Sequence, residues 1–415
     1  MALRLEGKTV LVGVSGGIAC YKAADLVRAL VKAGAIVRVM MSSAAQQFLT
    51  PLTLQTLSGN PVHTDTFDLT QESEIGHIRL ADSADAIIIA PATANIIAKI
   101  ATGIGDDLIT TVLLATRAPL VIAPAMNVHM FENPVVQENL ARLRQRGHRI
   151  VEPGEGFLAC GYEGKGRLAD TEVLLAEVER ALAPQDLAGA RVLVSAGPNR
   201  EALDPVRFLS NRSTGKMGFA LAAAARRRGA EVTLVAGPTT LPTPIGVRRI
   251  DVVTAADMHR ELSREFRDAT ILLMCAAVAD YRPAQTAAHK LKKQKTGMQL
   301  ELVRTTDILA DLAPRKGERI VVGFAAETEE VLANAERKLS DKNLDLIVAN
   351  DVAGSETGFA VDTNAVVILG RGGARTEVAL TSKDEVADRV LDAVCQLAQQ
   401  PQRAASSARS RRRRS

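Results

Sequence analysis

The strongest constraint on the fold is an alternation. Ten short runs rich in β-branched and aliphatic residues punctuate the chain, at 9–14, 36–40, 86–89, 120–122, 191–194, 232–235, 271–274, 320–322, 346–348 and 366–369, and helical periodicity fills the stretches between them. Short runs that are apolar throughout and separated by helices predict parallel strands buried on both faces. The fold class is therefore α/β, with doubly wound sheets. An internal echo doubles the scheme, because LEGKTVLVGVSGG from Leu5 returns as LAGARVLVSAGPN from Leu187. At 415 residues the chain also exceeds what one hydrophobic core usually supports. Two strand-first domains follow, at 1–182 and 188–398, joined through ALAPQDLAGA. Ser382 and Glu385 make a capping box that predicts a closing helix carrying Val386, Val390, Val394 and Leu397.

Composition narrows the class of protein. The net charge of +4 would suit a nucleic-acid binder, but six arginines and no acid lie in 401–415, so residues 1–400 carry −2. The basicity belongs to the tail, which is rich in Gln, Ala, Ser and Arg and reads over 399–415 as disordered. A nucleic-acid-associated protein remains an alternative that rests on this tail alone. Cys20, Cys160, Cys275 and Cys395 are far apart and form no C-x-x-C pair; a chain this long needs no disulfide framework, which favours a reducing cytoplasm. The glycines after Val14 argue against a signal peptide, and the apolar stretch 86–98 is too short to span a bilayer and contains Pro91. The six histidines make no metal-binding spacing, so no metal is assigned to protein side chains.

In a doubly wound sheet, ligands lie beyond the carboxyl ends of the strands, where glycines let backbone N–H groups approach a phosphate. Ser15, Gly16 and Gly17 in VLVGVSGGIACYK occupy that place. The loop has neither the G-x-G-x-x-G spacing of a dinucleotide site nor the G-K-[ST] ending of a P-loop, so a mononucleotide phosphate is favoured, with a plain tight turn as the alternative. APATANIIAKIATGIGDDL from Ala90 and APAMNVHMF from Ala123 each follow a strand at the same edge, and ACGYEGKGRLAD follows from Ala159. Read singly, His77 could satisfy a backbone group, Asn127 could cap a helix and Cys160 could be a small buried residue.

Together, VSGGIA, GHIRLAD, PAMNVHMF and ACGYEGKGR resemble the FMN-containing cysteine decarboxylases, and in particular the decarboxylase half of the bifunctional phosphopantothenoylcysteine decarboxylase/phosphopantothenate-cysteine ligases of coenzyme A biosynthesis. The resemblance spans most of residues 5–180. It implies a Rossmann-like flavoprotein domain in which FMN oxidises the cysteine moiety of the substrate, carbon dioxide leaves and the hydride returns. It implies His77 as base, Asn127 as the amide that holds the substrate carboxylate, and Cys160 as the acid, in a flap with Gly161, Gly164 and Gly166. Ser15, Gly16, Gly17, Ser43 and Thr93 are the implied FMN contacts. Phe131 and Leu168 stand where that family often has Trp and Met.

The second half has its own phosphate-friendly helix start in SAGPNREALDPVRFLSNRSTGKMG from Ser195, and HKLKKQKTG from His289 sets four lysines within six residues. A lysine run is ordinarily a solvated loop; beside a nucleotide it neutralises phosphoryl charge. DPVRFLSNRSTGKMG, AAVADYRP, KLKK, GFAAET and KNLDLIVAND resemble the ligase half of the same bifunctional family over roughly 188–395. The resemblance implies that CTP, with Mg²⁺, activates 4′-phosphopantothenate as an acyl cytidylate, which the amine of cysteine attacks to release CMP. Asn211 would hold that intermediate and Lys290 the phosphates, with Asp280, Asp307, Ile308, Phe324, Lys338 and Lys342 on CTP. Arg207 is an expected dimer-interface residue. Thr306, Asp307 and Ile308 replace the family's usual Pro-Asp-Ile, and His289 replaces an acidic residue. The family further implies a homo-oligomer, a dodecamer built from trimers of the first half and dimers of the second. A noncatalytic flavin-binding protein is the other alternative.

Overall fold

The computed structural model describes residues 4–66, 76–157, 163–292, 298–327, 331–351 and 361–412. The chain divides into two compact units, Met1–Pro184 and Gln185–Ser415.

In the first unit the elements run β1 (Thr9–Val14), α1 (Lys22–Lys32), β2 (Ile36–Met41), α2 (Pro51–Ser58), β3 (Val62–His63), α3 (Gly76–Ser83), β4 (Ala86–Ala92), α4 (Ala94–Thr102), α5 (Leu108–Ala115), β5 (Leu120–Pro124), α6 (Val128–Glu132), α7 (Pro134–Gln145), β6 (Arg149–Ile150), β7 (Gly154–Phe157), β8 (Glu163–Arg167) and α8 (Thr171–Leu182). The sheet order is β3-β2-β1-β4-β5-β6, all parallel. Strand period two sends Val10, Val12 and Ile88 to one face, packed with Leu26, Leu30 and Val178 of α1 and α8. Leu11, Ile87 and Ile89 go to the other, against Ile97, Ile109 and Leu140. Both faces are covered, which is why the strands contain almost no polar residue. The chain winds one way through β1, β2 and β3 and the other way through β4, β5 and β6, so the switch point lies between β1 and β4. β7 and β8 form an antiparallel hairpin of their own.

The second unit repeats the plan with β9 (Arg191–Ala196), β10 (Arg200–Ala202), β11 (Phe208–Ser210), α9 (Lys216–Arg227), β12 (Glu231–Ala236), β13 (Arg248–Asp251), α10 (Ala255–Glu265), β14 (Ile271–Met274), β15 (Tyr281–Pro283), β16 (Leu302–Arg304), α11 (Ile308–Leu312), β17 (Ile320–Glu327), α12 (Val331–Asp341), β18 (Leu346–Asp351), β19 (Thr363–Gly370), β20 (Arg375–Ser382) and α13 (Lys383–Arg412). The order β13-β12-β9-β14-β17-β18-β19-β20 is parallel as far as β18 and antiparallel beyond it. Val192 and Val194 face α9 and α13, while Leu193 faces α10 and α11. Gly218 lets α9 lie close to the sheet: a Cβ there would stand 2.5 Å from that of Ala196.

The Glu385 N–H donates to the Ser382 hydroxyl at 3.2 Å, as the capping box requires. The backbone of α13 continues as helix to Arg412, past Gln399, where the sequence reading places the start of a disordered tail. Ala, Gln and Arg all favour helix, which accounts for the continuation, although Pro401 removes one helical N–H.

Candidate functional sites

The first cavity opens at the β1/β4 switch point and has a volume of about 390 Å³. Ser15 is buried and its hydroxyl links the two strand ends, donating to the Pro91 carbonyl at 2.8 Å and accepting the Thr93 N–H at 3.0 Å. Thr93 in turn caps α4, its Oγ1 accepting the Ile96 N–H. Gly16 cannot be replaced without moving backbone, because a Cβ there would meet the Ala44 Cβ at 2.4 Å and its carbonyl carbon at 2.7 Å. Buried Cys20 closes the loop from below, its thiol donating to the Ser15 carbonyl at 3.0 Å. The result is a rigid turn with Gly16 and Gly17 in the cavity wall.

Asn127 lines the same cavity and also caps α6, accepting the His129 N–H at 2.8 Å. The capping and the site-lining readings of this residue thus coexist. β8 crosses beside it. Gly166 accepts the Met126 N–H at 3.0 Å through its carbonyl, and with φ +154° a Cβ there would fall 2.2 Å from the Met126 carbonyl oxygen. Only glycine lets this strand approach so closely. Leu168, noted as a departure in the sequence, is in the wall, whereas Phe131 is buried in the core beneath it.

Of the other expected residues, Ser43 is exposed on the loop after β2 and His77 sits in the first turn of α3; neither lines the cavity. Cys160 and Gly161 lie outside the described residues. The geometry adds residues that the motifs did not single out. Lys22 and Arg167 bring cations to the wall, while Ile18, Tyr21, Met126 and Met130 bring apolar surface. Lys22 and Arg167 stood inside the quoted motifs, but nothing in their spacing marked them.

The second cavity, about 550 Å³, lies at the carboxyl end of β14 and beside its neighbour β17. Four elements converge on it: Asp280 from the β14–β15 loop, Asp307 and Ile308 from the start of α11, Phe324 from β17, and Lys338 and Lys342 from the end of α12. Asp307 caps α11 through Ala310 N–H and pairs with the Lys342 ammonium at 3.0 Å; burial pushes its carboxyl up, but the Lys342 and Ala310 bonds outweigh it and hold the carboxyl below the usual range. Thr305 ties that wall to the next, its N–H donating to the Asp280 carbonyl at 2.9 Å.

Beneath the cavity, fully buried Ser195 accepts the Cys275 and Ala276 N–H groups at 3.1 Å each and so fixes the chain leaving β14. Cys275 lines the cavity, and burial pushes its thiol up to about 12. Asn211 is outside the lining but holds it, its amide donating to the Ala277 carbonyl at 2.9 Å. Lys290 is exposed and is not in the lining. Gly237 was not anticipated: a Cβ on it would stand 1.8 Å from the Pro198 carbonyl oxygen, so only glycine fits beside the loop after β9.

A family profile described as Flavoprotein matches residues 2–183, and one described as DNA/pantothenate metabolism flavoprotein C-terminal domain matches residues 187–397. The class is therefore a flavoprotein domain followed by a pantothenate-metabolism domain. Among curated relatives, the coenzyme A biosynthesis bifunctional protein CoaBC of Bacillus subtilis is 50% identical over 400 residues, covering 95% of this chain and 98% of that protein. CoaBC of Escherichia coli is 46% identical over 397 residues, covering 94% and 98%. A crystal structure of the C-terminal domain of a CoaBC protein is 39% identical, with TM-score 0.45, over 52% of this chain and 98% of that one. The chain belongs to the CoaBC family of bifunctional coenzyme A biosynthesis proteins, which pair phosphopantothenoylcysteine decarboxylase with phosphopantothenate-cysteine ligase.

Proposed function

We propose that the first cavity holds FMN and the second CTP, and that the two halves act in sequence on one small-molecule backbone. The observation that supports this most is the convergence of Asp280, Asp307, Ile308, Phe324, Lys338 and Lys342 on one cavity from four separate elements. In this reading Lys338 and Lys342 neutralise the triphosphate, Phe324 and Ile308 offer apolar surface, and Asp280 and Asp307 are the carboxylates in reach of the nucleotide and its Mg²⁺. CTP activates the carboxylate of 4′-phosphopantothenate as an acyl cytidylate with loss of pyrophosphate. Asn211 holds that intermediate, Lys290 stabilises the phosphoryl charge, and the amine of cysteine displaces CMP.

The ligase product is the substrate of the first half. The Gly16 cradle, the Ser15–Thr93 link and the apolar wall of Ile18, Met126, Met130 and Leu168 suit a phosphate at one end and a flat apolar ring beyond it. FMN bound there supplies two-electron oxidation of the substrate and the return of the reducing equivalents. Asn127 binds the substrate carboxylate and Cys160 returns a proton to the enethiolate; His77, which lies outside this chain's cavity, acts as base on the substrate held by a second copy of the chain. Ile18 and Tyr21 are 61% and 60% exposed at the cavity mouth, which suits cover by a second copy in a homo-oligomer. The cytoplasm is the proposed compartment.

Lys342→Gln tests the nucleotide assignment. CMP release should show a KM for CTP raised about tenfold or more, with flavin content unchanged; an unchanged KM would remove Lys342 from the CTP site.

A further inference from the structure

Asp204 has a side chain with 0% exposure, yet neither cavity contains it. It occupies the tight turn between β10 and β11 and accepts five hydrogen bonds. Oδ1 takes the Val206 and Arg207 N–H groups, each at 2.8 Å; Oδ2 takes the Arg207 Nε at 3.0 Å, its terminal nitrogen at 2.6 Å, and the Leu291 N–H at 3.1 Å. Arg207 completes the connection by donating to the Leu291 carbonyl at 2.8 Å. Both backbone polar groups of Leu291 are thus held by one ion pair 84 to 87 positions earlier in the chain.

Leu291 follows Lys290 directly. The chain leading to it is docked on the same hairpin, the Thr286 hydroxyl donating to the Ala202 carbonyl at 3.2 Å and the Ala287 N–H to the Leu203 carbonyl at 3.0 Å. The far end of the hairpin leads into Asn211, which holds Ala277 and Val278 in the wall of the second cavity. One small hairpin therefore connects the root of the lysine run to the cavity wall.

We propose that Asp204 is a positioning residue for the ligase reaction: through Arg207 and the backbone of Leu291 it sets where Lys290 stands relative to the second cavity. A lysine on an exposed loop loses side-chain and backbone freedom whenever it engages a phosphate, and a root fixed in advance lowers that cost in the transition state. The proposal rests on the assignment of Lys290 made above.

The test is a double-mutant cycle on the full-length protein, reading CTP-dependent CMP formation with 4′-phosphopantothenate and cysteine. Asp204→Asn is nearly isosteric but places an amide NH₂ against N–H donors. It should lower kcat at least tenfold with KM for CTP changed less than about twofold. Lys290→Gln should lower kcat by at least as much, and the double variant should be no slower than Lys290→Gln alone. Multiplying losses in the double variant, or an unchanged kcat in Asp204→Asn, would overturn the proposal while leaving Lys290 in its role. An unchanged kcat in Lys290→Gln would overturn the Lys290 assignment and this proposal with it. Hydrogen exchange in the unaltered protein gives a reading that does not depend on how the variants fold. Protection of the Leu291 amide is expected, and exchange at the rate of an unstructured amide would contradict the clamp.

Discussion

Cys275 shows how burial and position separate reactivity from access. It lines the second cavity, but burial raises its thiol pKa from 9.0 to about 12. The thiolate is the nucleophile, so the residue should stay unmodified when the protein is treated with iodoacetamide at pH 8 and mapped by mass spectrometry. Rapid labelling of Cys275 under those conditions would contradict this. The same shift fixes the sign of a pH effect. Between pH 9 and about 12 the unfolded chain releases a proton that the folded protein keeps, so the Cys275 contribution to stability falls as pH rises through that window. At this scale the sequence was most legible where a residue's type carried its task. Asp307 and Lys342 are named there as nucleotide contacts and stand together in one wall; Ser195 and Asp204 stand inside quoted motifs with no task assigned, because their value lies in backbone N–H groups brought to them by distant segments.

Elements were legible in proportion to their burial. The central strands β1 and β14 span residues the sequence marked, since runs such as Val10 to Val14 must be apolar on both faces. β3 and β6 are two residues each, and β13 and β20 lie at the sheet edge with mostly exposed or half-buried side chains, so their residues give no apolar run to read. The β7–β8 hairpin is rich in glycine and its sequence, GEGF and EGKGR, has no strand propensity. Its glycines nonetheless decide the shape of the first cavity. Gly166→Ala would push a methyl group into the Met126 carbonyl and force β8 away from Asn127. The expected outcome is a loss of FMN affinity of tenfold or more, read from flavin absorbance per protein after gel filtration, with the far-UV circular dichroism unchanged. Full flavin content in that variant would mean that β8 does not shape the site.

At the scale of the whole molecule, each unit has its own two-faced core and its own cavity past the carboxyl ends of central strands, the first at the β1/β4 switch point and the second at the end of β14 beside β17. The sequence echo between Leu5 and Leu187 reports that shared plan, while the residues that line the two cavities differ in kind. Apolar groups and a glycine cradle line the first; acids and lysines line the second. The most direct test of this account is mass spectrometry of one reaction containing the purified protein, 4′-phosphopantothenate, cysteine, CTP and Mg²⁺. The account predicts CMP and 4′-phosphopantetheine in equal amounts, with phosphopantothenoylcysteine passing through as the intermediate. Phosphopantothenoylcysteine that accumulates without decarboxylation in a flavin-loaded protein, or no CMP at all, would contradict it.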